Sequence, residues 1–236
     1  MTPDQELASL RLEDCTEIVD HGDLAHKLQV VEAARVGDES PPLLRLRQAL
    51  LLHEAGLNLG LLAQRDQRQI GYPDRSYKIL TELAAIPDLP PEIRPWIDSF
   101  RASALALSGG EKGKLGLLSQ AFELFDRAVR EHDHASYLPR YLRGSVAENL
   151  PRILWRKRRW ARIDFDELLR RVEADPSFMP DNVKSFTYWA WAKKFCGDRG
   201  KRPKAEQLLK EAMRLDPEKK AGFARASELL QRLQAG

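Results

Sequence analysis

The sequence predicts an all-α protein made of stacked antiparallel helix pairs. Three observations predict it. Apolar residues recur at spacings of three and four along nearly all of the 236 residues, the period of a helix with one buried stripe. Clean apolar/polar alternation beyond about four residues is missing, as are clusters of Val, Ile and Thr, so strands are not expected. Four segments also look alike: SYKILTEL (76–83), AFELFDRA (121–128), DFDELLRR (164–171) and AEQLLKEA (205–212), with starts 45, 43 and 41 residues apart. Each carries a large apolar residue four positions in, namely Leu80, Phe125, Leu168 and Leu209. A helix pair cannot bury its apolar face alone, so repetition at this period means pairs packed on pairs.

Residues 1–22 read as a weakly structured arm or a short helix, and residues 23–236 as a single helical repeat domain. Asp23 is the expected cap of a leading helix over 23–36, because a side-chain carboxylate satisfies the first free N–H groups. Pairs are expected at 42–66 with 74–86, 92–108 with 116–131, 136–149 with 162–174, and 181–196 with 203–214. Pro and Gly fall between them in ESPP, GYPD, PDLPPEIRP, SGGEKGK, DPSFMPD and GDRGKRP, where they stop helices. EKKAGFARASELLQRLQ (218–234) reads as a closing helix whose polar outer positions suit the end of a stack.

The totals are those of an ordinary cytoplasmic globular protein. Charged residues are 31% and the net charge is +3, too slight to point by itself to a polyanionic partner. Cys15 and Cys196 have no metal-type spacing and read as reduced thiols. The N-terminus is acidic from the start and lacks the apolar core of a signal peptide. No apolar run has the length of a membrane span.

The last unit resembles a tetratricopeptide repeat. That family places Trp, small residues, an aromatic or large apolar residue and Pro at fixed offsets. Here Trp189, Ala192, Ala205, Leu209, Ala212 and Pro217 stand at those places, and EAMRLDPEKK ends the unit in the family's manner. The likeness is good over 186–219 and weaker over 104–129. Lys193 and Cys196 depart from it, and the longer period implies stretched loops. The resemblance implies a right-handed α-solenoid of about four pairs whose first helices line a concave groove. The groove positions would include Asn58, Leu61, Arg65, Ser103, Ala106, Tyr141, Ser145, Glu148, Thr187, Ala190 and Lys194, with Arg65, Arg140 and Arg143 open to an acidic ligand.

The loudest local signal is WRKRRWAR (155–162). From 140 to 171 ten basic residues face four acidic ones, a local +6 that leaves −3 for the rest of the chain. Trp with Arg can hold single-stranded nucleic acid by stacking and charge, so Arg152, Arg156, Lys157, Arg158, Arg159 and Arg162 form a candidate anion patch. The competing reading is the charged start of a packed helix, with Trp160, Ile163, Phe165 and Leu168/Leu169 as its buried stripe. In YWAWAKKF, Trp189 is expected in the core, with Trp191 at the surface or against a neighbour.

Enzyme motifs are weak. RAVREH (127–132) has the Arg-x4-His spacing of the HEPN ribonucleases, which it resembles, with Arg127 and His132 as the pair. Any Arg-rich helix end produces this spacing by chance, and basic residues favoured by the dipole at a helix C-terminus are the simpler reading. HDH (132–134) lacks a third metal ligand at suitable spacing. SGGEKGK (108–114) lacks the final hydroxyl of a phosphate loop and reads as a loop. The sequence therefore predicts a scaffold that binds a protein or peptide without catalysis, cofactor, metal or membrane. Nucleic-acid binding through 152–162 is the alternative, and a small ribonuclease a third.

Overall fold

A computed structural model describes residues 1–18, 20–58, 71–217 and 221–235. Among these residues there are eleven α-helices and short 3-10 turns, with no strand. The chain divides into two compact units, 1–142 and 143–236.

The first unit holds α1 (Pro3–Ser9), α2 (His21–Ala33), α3 (Pro42–Leu57), α4 (Tyr72–Ala84), α5 (Arg94–Glu111), α6 (Leu115–His132) and the opening of α7 (Leu138–Asn149). α1 starts on a capping box: the Thr2 hydroxyl accepts from the Gln5 N–H, and the Gln5 side chain accepts from the Thr2 N–H at 2.9 Å. α2 begins earlier than expected. Asp20 is its cap, accepting from the Asp23 N–H at 2.7 Å. α3 ends at Leu57; the expected continuation to 66 lies outside the described residues. Successive helices then pack in order, α3 on α4, α4 on α5 and α5 on α6.

α5 runs on through Ser108–Glu111, stretching past the predicted stop at the double glycine. A Cβ on Gly109 would meet Leu117 Cβ at 3.1 Å and the Leu118 backbone N at 3.2 Å. The glycine lets α5 and α6 approach closely. The turn comes later, at Gly113, whose φ of +63° suits glycine.

The second unit holds the rest of α7, α8 (Trp155–Ala174), α9 (Asp181–Ala192), α10 (Arg202–Arg214) and α11 (Ala221–Ala235). α9 packs on α10, and α11 on both. Ala192, Leu209, Ala212 and Ala226 are fully buried there, with Tyr188, Trp189, Leu208 and Leu229 against them. The Ser185 hydroxyl donates to the Ala212 carbonyl at 2.6 Å, locking α9 to α10. Asp216 of the DP pair caps α11, accepting from the Phe223 N–H at 3.0 Å.

The repeat seen in the sequence is a repeat of burial. Leu80, Phe125, Leu168 and Leu209 have no exposed surface, nor do the residues four before them, Ser76, Ala121, Asp164 and Ala205. A small or satisfied residue, then a large one a turn later, lets a neighbouring backbone approach and fills the space above it. Ser76 donates to the Ala49 carbonyl at 2.8 Å. Asp164 solves the same problem with an ion pair. Glycines let two of the helices approach closely: a Cβ on Gly56 would lie 2.7 Å from the Pro73 ring, and one on Gly144 would lie 2.9 Å from the Phe165 ring and 3.3 Å from Asp164 Cβ.

Two packing expectations are corrected. α8 starts at Trp155, with WRKRRWAR as its first two turns. Its buried stripe is Ala161, Asp164, Phe165, Leu168, Leu169 and Val172; Trp160 is half-buried and Ile163 exposed. Positions 163 and 165 lie about 200° apart round a helix, too far to share a stripe. In α9 the roles of the tryptophans are exchanged. Trp191 is buried, edge-on to Phe195 at 5.1 Å, while Trp189 is half-buried under Lys193 and Arg225.

Candidate functional site

Two predicted groove residues of the first unit, Asn58 and Tyr141, are engaged by the chain itself, beside Arg47 and Glu54, which were not expected there. Arg47 and Glu54 stand seven apart on α3 and so share one face, and Asn58 is the residue that ends the helix. Together they hold the backbone of the chain's own N-terminal segment, residues 10–18. The Arg47 guanidinium donates to the Leu10 carbonyl at 2.5 Å. The Glu54 carboxylate accepts the Ile18 N–H at 3.3 Å, and the Asn58 amide donates to the Ile18 carbonyl at 3.5 Å. Asn58 also donates to Glu54 at 3.1 Å, which fixes both clamps.

From α7, the Tyr141 hydroxyl donates to the Glu17 carboxylate. Burial, then the charge of Glu17, hold the Tyr141 phenol well above its usual range. Tyr137 beside it is pushed up for the same reasons, with Glu13 and Glu17 contributing. Glu17 has φ of 54°, a left-handed conformation that costs a non-glycine residue about 1–3 kcal/mol. Cys15 is fully buried, and burial pushes its thiol up to about 12. Lys27 donates to the Asp14 carbonyl at 2.9 Å. Side chains thus read four backbone groups and one carboxylate of a passing polypeptide.

The other groove positions are also engaged. Ser103 and Ala106 are buried in α5. Arg140 makes a two-pronged pair with Asp133 at 2.6 and 2.8 Å. Leu61 and Arg65 lie outside the described residues. In the second unit Arg143 is 3% exposed, with both arms on Asp164 at 2.8 and 2.7 Å and its guanidinium 4.0 Å from the Trp160 ring centre. Glu148 pairs with Lys194 at 2.5 Å and Lys193 at 3.6 Å. Thr187 bonds back to the Val183 carbonyl, Ala190 is buried, and the Ser145 hydroxyl is buried without a hydrogen-bond partner among the described residues. Arg143 is therefore a core ion pair and not an open receptor for an acidic ligand. Sequence reasoning missed Asp164 because its partner lies on another helix.

The basic run has a different character. Trp155 is 66% exposed and Ile153 81%. Arg156, Arg159 and Arg162 are exposed, while Lys157 and Arg158 are half-buried. Arg158 donates to the Leu150 carbonyl at 2.9 Å and braces the start of α8. Arg152 opens the 3-10 turn Arg152–Leu154 that leads into the helix. α8 has neither a side-chain cap nor an acid in its first turn.

HDH splits three ways. His132 Nε2 lies 2.9 Å from Asp98 Oδ2, Asp133 serves Arg140, and His134 is exposed. Asp98, Glu131 and His132 place ligand atoms within 4.8 Å of one another. The Arg101 guanidinium, 3.7 Å from Asp98, opposes a cation there. Arg127 is exposed and stands about 140° round α6 from His132, so the two do not share a face. Ser103, His53 and Glu54 form a hydroxyl–imidazole–carboxylate series at 2.8 and 3.6 Å. All three are at most 3% exposed, and Phe100 packs edge-on to the imidazole at 5.0 Å. The series is a polar seam in the core that leaves no approach for a substrate.

Comparison with known proteins adds no relative: the chain matches no protein-family model, no curated protein and no solved structure. None of the described helices is long and apolar enough to cross a membrane.

Proposed function

We propose that this chain is a non-catalytic protein-interaction scaffold, built of tetratricopeptide-like helix pairs, that binds an extended polypeptide segment on the α3 face. One observation carries the reading: Arg47, Glu54 and Asn58 already bind a polypeptide backbone, and Tyr141 binds the carboxylate beside it. Backbone recognition gives affinity for any extended segment, and side-chain contacts then select among them. The segment in place is Glu17-Ile18, so the partner's segment presents an acid followed by an aliphatic residue. The N-terminal segment acts as an internal occupant that a partner displaces. The strained Glu17 backbone favours that exchange. Burial of the repeat positions supports the tetratricopeptide-like pairing, and the protonated, reduced thiols suit a cytoplasmic setting.

The test is peptide-display selection against two forms of the full chain, wild type and Glu17→Ala, which loosens the internal segment. Glu17→Ala is expected to enrich acid–aliphatic peptides more strongly than wild type. A synthetic peptide spanning 12–20 should compete, and Asn58→Ala with Tyr141→Phe should abolish the enrichment. Enrichment of no common sequence, or enrichment indifferent to Asn58 and Tyr141, overturns the reading.

A further inference from the structure

The structure assigns a second binding surface to the solvent face of α8, independent of the α3 face: we propose that Trp155, Arg156, Arg159 and Arg162 bind single-stranded nucleic acid. The first support is position. Residues 155, 156, 159, 162 and 163 fall on one side of the helix, opposite the buried stripe. The row rises about 12 Å from 155 to 163, long enough to meet successive phosphates of an extended strand. It is bounded by the exposed Asp166, which feels the charge of Arg162, and by Arg170, which is paired with Glu167.

The second support is the state of the side chains. Among the described residues, no carboxylate lies within ion-pair distance of Arg156, Arg159 or Arg162. Elsewhere the chain pairs its arginines readily: Arg11, Arg75, Arg140, Arg170 and Arg214 each hold a carboxylate. Here Arg156 stands in the first turn of an uncapped helix, whose positive end disfavours cations. A polyanion is the complement of that field.

The third support is Trp155. Its indole is mostly in water, with Arg156 5.4 Å from the ring centre and Ile153 exposed beside it. A largely exposed indole with one guanidinium over its ring suits a base that stacks while its phosphates are neutralised. An anionic bilayer fits less well. A helix lying on lipid inserts a continuous apolar face, and that of α8 (Phe165, Leu168, Leu169, Val172) is already in the protein core. On the outer face the apolar residues are interrupted by arginines.

The experiment measures fluorescence anisotropy of a labelled oligothymidylate, long enough to cover the row, with the full-length protein. Three phosphate contacts predict a fall in affinity of roughly 20-fold between about 50 and 200 mM salt. R156Q/R159Q/R162Q is expected to lose most of that salt dependence, and Trp155→Ala to weaken binding about tenfold with the salt slope kept. These side chains face solvent, so helix content and unfolding midpoint should not fall, and circular dichroism checks this. The proposal is overturned if the triple variant binds as well as wild type. It is overturned equally by a duplex of the same length binding as tightly, or by protein that ignores the oligonucleotide and instead sediments with phosphatidylserine vesicles or an acidic peptide.

Discussion

The polar row on α3 and the basic row on α8 are both one-sided, but one is filled and the other open. On α3, Arg47, Glu54 and Asn58 are matched group by group with a piece of the same chain. On α8, Arg156, Arg159 and Arg162 face water. The difference follows from burial. Glu54 is 2% exposed, so each of its lone pairs needs a donor or desolvation goes uncompensated. The arginines of α8 keep their hydration, so folding leaves them unmatched at little cost. Trp160 shows both regimes on one ring: Arg143 lies 4.0 Å from its centre, buried on Asp164, and Arg159 lies 5.6 Å from it, exposed.

The comparison can be broken most sharply at that ring. Asp164→Ala strands the Arg143 guanidinium in the core and should destabilise the protein by about 3–5 kcal/mol, measured by urea unfolding. Arg159→Ala, at the same indole but exposed, should change stability by less than about 0.5 kcal/mol. Near-equal losses would mean that Arg159 is not the free group described above.

A middle-sized effect belongs to the α3 row. Glu54→Ala leaves the Ile18 N–H unmatched and frees Asn58, at a cost of about 1–3 kcal/mol. The signature is local: amide exchange at Ile18 and its neighbours should rise well before that of α4 or α5. Uniform loss of protection would make Glu54 a general core residue and not a clamp.

The smallest effect has the opposite sign. Arg156→Glu places an acid in the first turn of α8 and should stabilise the fold by about 0.3–1 kcal/mol at low salt. The gain should shrink as salt rises. A residue that binds at the expense of stability behaves in this way; destabilisation would instead mean that Arg156 supports the packing.

Much of the helical order was legible before any coordinates. The four look-alike segments mark buried positions because periodicity and burial are two views of one constraint. The segment that Asn58 and Tyr141 hold was not legible in the sequence. A side chain that reads a backbone carbonyl leaves no pattern in the residue it reads. Asp164 was invisible as a core residue because its warrant, Arg143, is 21 residues away. The exchange of Trp189 and Trp191 has a simpler cause. In a segment as aromatic as YWAWAKKF several registers bury an indole, and only the neighbours α10 and α11 choose between them. Asp20, rather than Asp23, caps α2, and the Asp23 carboxylate turns to Lys27 four residues on at 2.8 Å.

Cys15 gives the chain a chemical clock. Its sulfur belongs to the N-terminal segment itself, 3.4 Å from the Arg11 carbonyl, and burial keeps it in the unreactive thiol form. The second cysteine, Cys196, is half-buried and sits in the other unit, so it supplies an internal reference. Alkylation of Cys15 relative to Cys196 therefore counts how often the segment lifts from α3, in unmodified protein and in the presence of any molecule thought to replace it.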